Sequence, residues 1–142
     1  MVKTLGFDYA NLSNFLFNKD QSKLITCAGN SVTLWDFSED TLLLLNEFQY
    51  DSDVYEAYFS SDEQAVFAAS VDGSFRMWNA ASGEEIIRNY LFESDPNKWV
   101  HIHPSGLFDA SPQAMELMYW TKGLEVIEFA QLKDRYWVPG LW

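Results

Sequence analysis

Basic side chains are scarce in this chain. Nine Lys and Arg stand against 21 Asp and Glu, a formal net charge of −12 with a pI near 4.3. Between Lys23 and Arg76 there is no basic residue, while that stretch holds Asp36, Glu39, Asp40, Glu47, Asp51, Asp53, Glu56, Asp62, Glu63 and Asp72. Such a polyanion is repelled by phosphate backbones and anionic bilayers, so nucleic acid and membrane are excluded as expected partners. A single cysteine, Cys27, excludes an internal disulfide framework and fits a reducing, cytoplasmic setting. Apolar runs are short, as at Leu42 to Leu45, and none approaches the ~20 residues of a spanning helix. In MVKTLGFDYA, Asp8 interrupts any apolar stretch, so no signal peptide is expected. Gly29-Asn30-Ser31 and Asp72-Gly73-Ser74 lack the glycine spacing, lysine and following helix of a phosphate loop, and no cofactor is expected.

Apolar and aromatic residues are plentiful. Hydrophobic side chains make up 48% of 142 residues, enough for a core of one domain's size. Aromatics reach 17%, which favours strands, where flat rings pack well on a pleated surface. Short apolar runs alternate with turn signals: Gly29-Asn30 separates SKLITCA from SVTLWDF, and Asp72-Gly73 separates QAVFAASV from SFRMWN. Both read as tight hairpins. No capped, 3.6-residue apolar period stands out, so no helix is predicted.

The strands repeat. Trp35, Trp78 and Trp120 lie 43 and 42 residues apart, and Phe17, Phe59 and Ile102 lie 42 and 43 apart. Each repeat reads as four strands. The first is 14–17, 23–28, 32–37 and 41–48; the second 55–59, 65–71, 74–79 and 84–90; the third 99–103, 107–110, 117–121 and 124–129. A period near 42 with four strands per unit predicts blades of a β-propeller. Central strands such as Leu24 to Ala28 and Ala65 to Ser70 are apolar without alternation, as strands covered on both faces should be.

The fold expected is thus all-β: three four-stranded antiparallel blades. An N-terminal strand within 1–13 (Thr4–Tyr9) is a possible ring closure. Blade one spans 14–50, blade two 51–91, a divergent blade three 92–131, and an aromatic tail 132–142. Three blades are too few to close a ring. Closure is expected either from further blades of a longer parent protein or from homo-oligomerisation.

Trp35-Asp36 closing a third strand, and Ser70-Val71-Asp72-Gly73-Ser74-Phe75-Arg76-Met77-Trp78-Asn79, resemble WD-repeat blades. The resemblance implies structural roles for Trp35, Asp36, Ser70, Asp72, Trp78 and Trp120. It implies a buried network of Ser70, Asp72 and Trp78, although the family's histidine has no counterpart in the first two units. The run from Trp99-Val100 through Pro104-Ser105-Gly106-Leu107-Phe108-Asp109, Gly123-Leu124-Glu125-Val126-Ile127 and Gln131 to Leu141 is similar to a terminal segment. That segment follows WD repeats in bacterial multidomain proteins that also carry caspase-like peptidase domains. The resemblance covers about residues 12–141. It implies a non-catalytic scaffold or sensor from a larger bacterial protein.

Candidate chemistry is sparse. His101 and His103 sit two apart on a strand and face one side, so they can begin a zinc site with Asp109 as a third ligand. A small metal-dependent hydrolase is the alternative that follows; a packed pair of histidines is the plainer one. Cys27 lies in an apolar strand, where cysteines are inert. With no credible catalytic set, the chain is not expected to be an enzyme. A self-assembling structural unit without a ligand is a further alternative.

The acidic residues cluster in predicted loops. They are either a solvated face or a docking patch for a protein with a basic surface. The rim that propeller turns would form carries Asn30, Asp51, Asp53, Asp72 and Asp95. The tail Tyr136-Trp137-Val138-Pro139-Gly140-Leu141-Trp142 is expected either to pack on the last strands or to dock on another domain.

Overall fold

A computed structural model describes residues 12–37, 42–92, 95 and 97–141. The expected closing strand Thr4–Tyr9 lies outside these residues, as does Trp142. The architecture is all-β and antiparallel. Eight strands run in order through the first two repeats: β1 (Leu12–Phe17), β2 (Lys23–Ala28), β3 (Ser31–Asp36), β4 (Leu43–Gln49), β5 (Val54–Phe59), β6 (Ala65–Ser70), β7 (Ser74–Asn79) and β8 (Glu85–Leu91). The rest of the chain holds β9 (Trp99–Ile102), β10 (Phe108–Ala110), α1 (Pro112–Met115), β11 (Tyr119–Lys122), β12 (Glu125–Glu128) and α2 (Phe129–Tyr136).

The two hairpin signals form as predicted. Ala28 pairs with Ser31 across Gly29-Asn30, with Gly29 at φ +55°. Gly73, at φ +79°, donates its N–H to Ser70 O across the β6–β7 turn.

A further turn stands at the matching place in each repeat. Asn18 N–H donates to Lys23 O, Ser60 N–H to Ala65 O, and His103 N–H to Leu107 O. The left-handed residue of each turn is Gln21 (φ +63°), Glu63 (φ +60°) and Gly106 (φ +87°). The first hairpin turn is thus the same in the first two units, and in the third it keeps the left-handed residue but is one residue shorter.

The expectation of three four-stranded blades is corrected. The sheets have four strands (β1-β2-β3-β4), six strands (β10-β9-β8-β7-β6-β5) and two strands (β11-β12), and none closes on itself. The strands expected to open the third blade pair with each other and with β8, as in Asn89↔His101 and His101↔Asp109. Its expected outer strands pair only as the hairpin β11–β12.

Two helices break this region, against the expectation of none. Ser111 accepts the N–H of Ala114 and Pro112 occupies the first helical position, which starts α1. Before α2, Gln131 Oε1 accepts the Glu128 N–H, and Lys133 and Arg135 sit in the last turn, favourably for the helix dipole. Among the described residues no helix is long and apolar enough to cross a membrane.

The chain divides into two compact units, with the boundary between Glu85 and Ile86. In the first, two sheets pack face to face. Paired residues across a ladder share a face, so the registers define which side chains meet. One face of β1–β4 carries Ile25, Cys27, Val32, Leu34 and Phe48. It packs on the face of β5–β7 that carries Ala57, Val66, Ala68 and Trp78, with Phe59 at its margin. Phe48 stacks on Trp78 with ring centroids 4.8 Å apart, and Tyr50 meets the same indole edge-on at 5.4 Å. Each large side chain taken out of water here contributes about 1.5–3 kcal/mol. The second unit has its own core of Val100, Phe108, Ala110, Ala114 and Met115, with Trp137 and Tyr136 packed against it.

Candidate functional site

The structure gives the candidate catalytic groups other duties. His103 Nδ1 accepts the Ser105 N–H at 3.1 Å and lies 2.7 Å from the Ser105 hydroxyl, so this ring braces its own turn. His101 Nδ1 is hydrogen-bonded to Asn89 Oδ1, and the ring lies 4.6 Å from that of Trp99. Burial holds the His101 pKa below its usual value, with the charge of Asp109 opposing the shift.

Asp109 is engaged by the tail. Its Oδ1 accepts Ala110 N–H at 2.9 Å and Trp137 Nε1–H at 3.0 Å, and its Oδ2 accepts Gly140 N–H at 2.8 Å. Among the described residues no group of three or more His, Cys, Asp or Glu is arranged to hold a metal ion. Cys27 is fully buried, and burial, with a smaller push from Glu56, raises its thiol to about 12. A thiol that far above neutral stays protonated and is a poor nucleophile.

The residues of the expected blade motif are divided. Trp35 Nε1 donates to Thr26 Oγ1 at 2.9 Å, an indole–hydroxyl bond that spacing had not assigned. Asp36 ends β3 opposite Lys23. In the second repeat, Ala68 stands where the first has Thr26. There Ser70 Oγ instead donates to Asp53 O at 2.9 Å and accepts the Asp72 N–H at 3.4 Å. Asp72 Oδ1 caps the Ser74 N–H at 2.8 Å. Trp78 is buried against Phe48 and Tyr50. Trp120 sits on the exposed hairpin, 41% accessible, and lines a cavity of about 350 Å³ with Phe108, Ile127, Leu132 and Tyr136.

The acidic rim of the first unit is the arrangement best suited to contact another molecule. Three connections meet there: Gly29-Asn30, Tyr50 to Asp53, and Val71 to Gly73. Backbone bonds tie them together: Tyr50 N–H to Asn30 O, Val54 N–H to Gly29 O, and Val71 N–H to Asp53 O. Asn30 Nδ2 adds a bond to Tyr50 O at 3.0 Å. Asn30, Asp51, Asp53 and Asp72 are thereby brought together, all exposed. Asp95 belongs to the second unit, where its Oδ1 accepts the Asn97 N–H at 3.0 Å and that bond, chiefly, lowers its pKa. For Asp72, burial raises the pKa, but the hydrogen bonds of Ser74 and Ser70 and the charge of Arg76 together outweigh it and the net direction is down. The rim aspartate is thus firmly ionised at neutral pH.

Beneath the rim lies a residue that spacing did not single out. Arg76 is buried, with Nη2 3.0 Å from Asp51 Oδ2 and its guanidinium 4.3 Å from the centre of the Tyr50 ring. Tyr50 Oη donates to Ala68 O at 2.5 Å and accepts the Arg76 N–H at 3.2 Å, and burial pushes its phenol pKa up. Arg76 is the one basic side chain after a gap of more than fifty residues, which was the available signal. Of the three rim carboxylates, Asp51 is the one held by this cation; Asp53 and Asp72 face solvent. Comparison with known proteins finds no matching family and no curated protein similar to this chain.

Proposed function

We propose that this chain is a non-catalytic protein-interaction module, a scaffold or sensor built from WD-type propeller repeats, whose acidic rim docks a protein with a basic surface. The observation that carries it is the rim itself: Asp51, Asp53 and Asp72 on three turns cross-linked by hydrogen bonds, a rigid and pre-ordered anionic platform. Pre-ordering matters because little conformational entropy is then lost on docking. What supports the repeat reading is the shared turn of the first two repeats, with a turn one residue shorter at the matching place in the third, together with the face-to-face stacking of the first two sheets. The wider reading places the module in a longer, cytoplasmic bacterial protein, next to a peptidase or signalling domain. The hydrolase alternative has less to support it, since Asp109 is engaged by the tail and among the described residues no group of three or more His, Cys, Asp or Glu is arranged to hold a metal ion.

The test uses a fluorescent deca-lysine peptide and anisotropy across a salt series. Asp51 is left intact because its removal strands the buried Arg76 charge. The double variant Asp53→Asn with Asp72→Asn is expected to bind about five- to tenfold more weakly, with the salt dependence of the wild type reduced. A control pair elsewhere, Glu116→Gln with Asp134→Asn, is expected to change affinity less than twofold. Equal losses in both pairs would show only general attraction to a polyanion and would overturn the rim.

A further inference from the structure

In the first two repeats the opening hairpin is extended on its far side by a third strand. β2 carries β3, and β6 carries β7, each in an antiparallel ladder. In the second unit the matching strand, β10, is the last of the six-stranded sheet, because β11 pairs with β12 instead. The edge of a sheet is a template for any extended chain. Here the chain's own tail takes it. Val138 N–H donates to Phe108 O at 2.8 Å, and Phe108 and Trp137 form a parallel bridge.

The tail is held by more than this backbone bond. Asp109, only 8% exposed, accepts the Trp137 indole N–H with Oδ1 at 3.0 Å and the Gly140 N–H with Oδ2 at 2.8 Å. One buried carboxylate thus binds a side chain and, three residues on, the main chain. That pairing demands a particular segment. The indole of Trp137 supplies both an N–H and a ring that packs on the core of the second unit. Pro139 restricts its own φ and Gly140 lies at φ +73°, so the turn brings the Gly140 amide back to the same carboxylate. Main-chain bonds for affinity and a seat for one side chain are the two parts of peptide recognition by strand addition. A segment that lacks either donor leaves a buried carboxylate oxygen short of a partner, which is costly.

We propose that the edge of β10, with Asp109, is a peptide-binding site, and that the tail is an autoinhibitory strap filling it within the chain. The ligand is an extended, uncharged segment of a partner protein that carries the chemistry of the strap: a tryptophan, one further residue, then Pro-Gly. The strap is tethered, so it competes at a roughly millimolar effective concentration and keeps weaker segments out. The site lies wholly in the second unit and is independent of the acidic rim.

The probe is the peptide Tyr-Trp-Val-Pro-Gly-Leu, which repeats residues 136–141 and carries fluorescein at its N-terminus. In the full chain, Trp137→Ala with Gly140→Pro withdraws both donors of the strap. Anisotropy is expected to show this variant binding the peptide about tenfold or more tighter than the wild type does. A peptide with benzothienylalanine for tryptophan has the same shape without the N–H, and is expected to bind about tenfold more weakly. In the wild type, unlabelled peptide at about 1 mM is expected to displace the strap and to speed tryptic cleavage after Lys133 and Arg135 about threefold. This last measurement needs no variant, so it decides the matter if the strap variant loses the wild-type far-UV circular dichroism. An unchanged cleavage rate overturns the proposal. So does a folded strap variant that shows no saturable binding up to about 1 mM, or one that binds both peptides equally, which would mark the tail as an apolar cover alone. Deca-lysine binding by the wild type and the strap variant should be equal, so failure here and failure of the rim are read separately.

Discussion

Trp35 and Trp78 occupy equivalent places 43 residues apart but have opposite fates, and that contrast measures how the first unit is held together. Trp78 is 4% exposed, stacked on Phe48 and edge-on to Tyr50. Replacing it with alanine removes a fully packed indole and leaves a cavity that two aromatic neighbours cannot fill, at a cost of about 3–5 kcal/mol. Trp35 is only partly buried, on the face of β1–β4 opposite the contact with β5–β7. Trp35→Ala removes about one hydrogen bond, to Thr26, and a partial burial, together about 1–2 kcal/mol.

The difference, about 2–3 kcal/mol, is the quantity to measure, because differences between mutants depend less on the unfolded-state reference than absolute values do. Urea unfolding followed by far-UV circular dichroism, at low micromolar protein, gives both numbers. Equal costs would refute the assignment of the core to the Phe48–Trp78 contact.

Tyr50→Phe removes the hydroxyl that donates to Ala68 O and accepts the Arg76 N–H, and urea unfolding should show a loss of about 1–3 kcal/mol; a loss below half a kilocalorie would mean that water replaces both bonds. Cys27 should resist iodoacetamide at pH 8 and react fully in urea, because the thiol is buried and raised to about 12; rapid labelling of the folded chain would contradict its place in the core. Burial lowers the folded-state pKa of His101, so the stability it confers on the second unit is complete above the unfolded value of about 6.5 and is lost as pH falls below it. Unfolding midpoints at neutral and mildly acid pH should diverge in the wild type and converge in His101→Gln. Asp109→Leu should loosen the tail, read as faster tryptic cleavage after Lys133 and Arg135, since Trp137 Nε1 and Gly140 N–H lose their acceptor; unchanged cleavage would show that apolar packing alone holds the helix end.

The first two repeats were legible because their signals are strong and local. Gly29-Asn30 and Asp72-Gly73 supply the positive φ that tight turns need, and Leu24 to Cys27 and Ala65 to Ala68 carry the apolar runs of covered strands. The third repeat misled because period and pairing are different properties. Trp99 to Ile102 and Phe108 to Ala110 are strands in phase with the repeat, but nothing in their side chains says whether a strand opens a new sheet or extends a ladder from β8. The helices were missed because their evidence is short: a serine before a proline for α1, and a glutamine three residues after Glu128 for α2. The rim was legible as charge, whereas the cation beneath it was hidden by sequence distance, since Arg76 and Asp51 lie 25 residues apart.

The divergence of the third repeat has a physical logic that follows from its ladder. The turn geometry aligns Phe108 with Leu24 and Val66, and therefore Asp109 with Ile25 and Phe67, and His101 with Leu16 and Tyr58. In the first repeat that row packs against another sheet; in the third it is a polar row of Asn89, His101 and Asp109. A buried carboxylate cannot face another apolar sheet without a severe desolvation cost. Asp109 instead receives three N–H donors, two of them from the segment that follows α2, and Trp137 packs into the same core. Asp109 stands where the first two repeats have Ile25 and Phe67, and the chain's own Trp137 and Gly140 supply its donors.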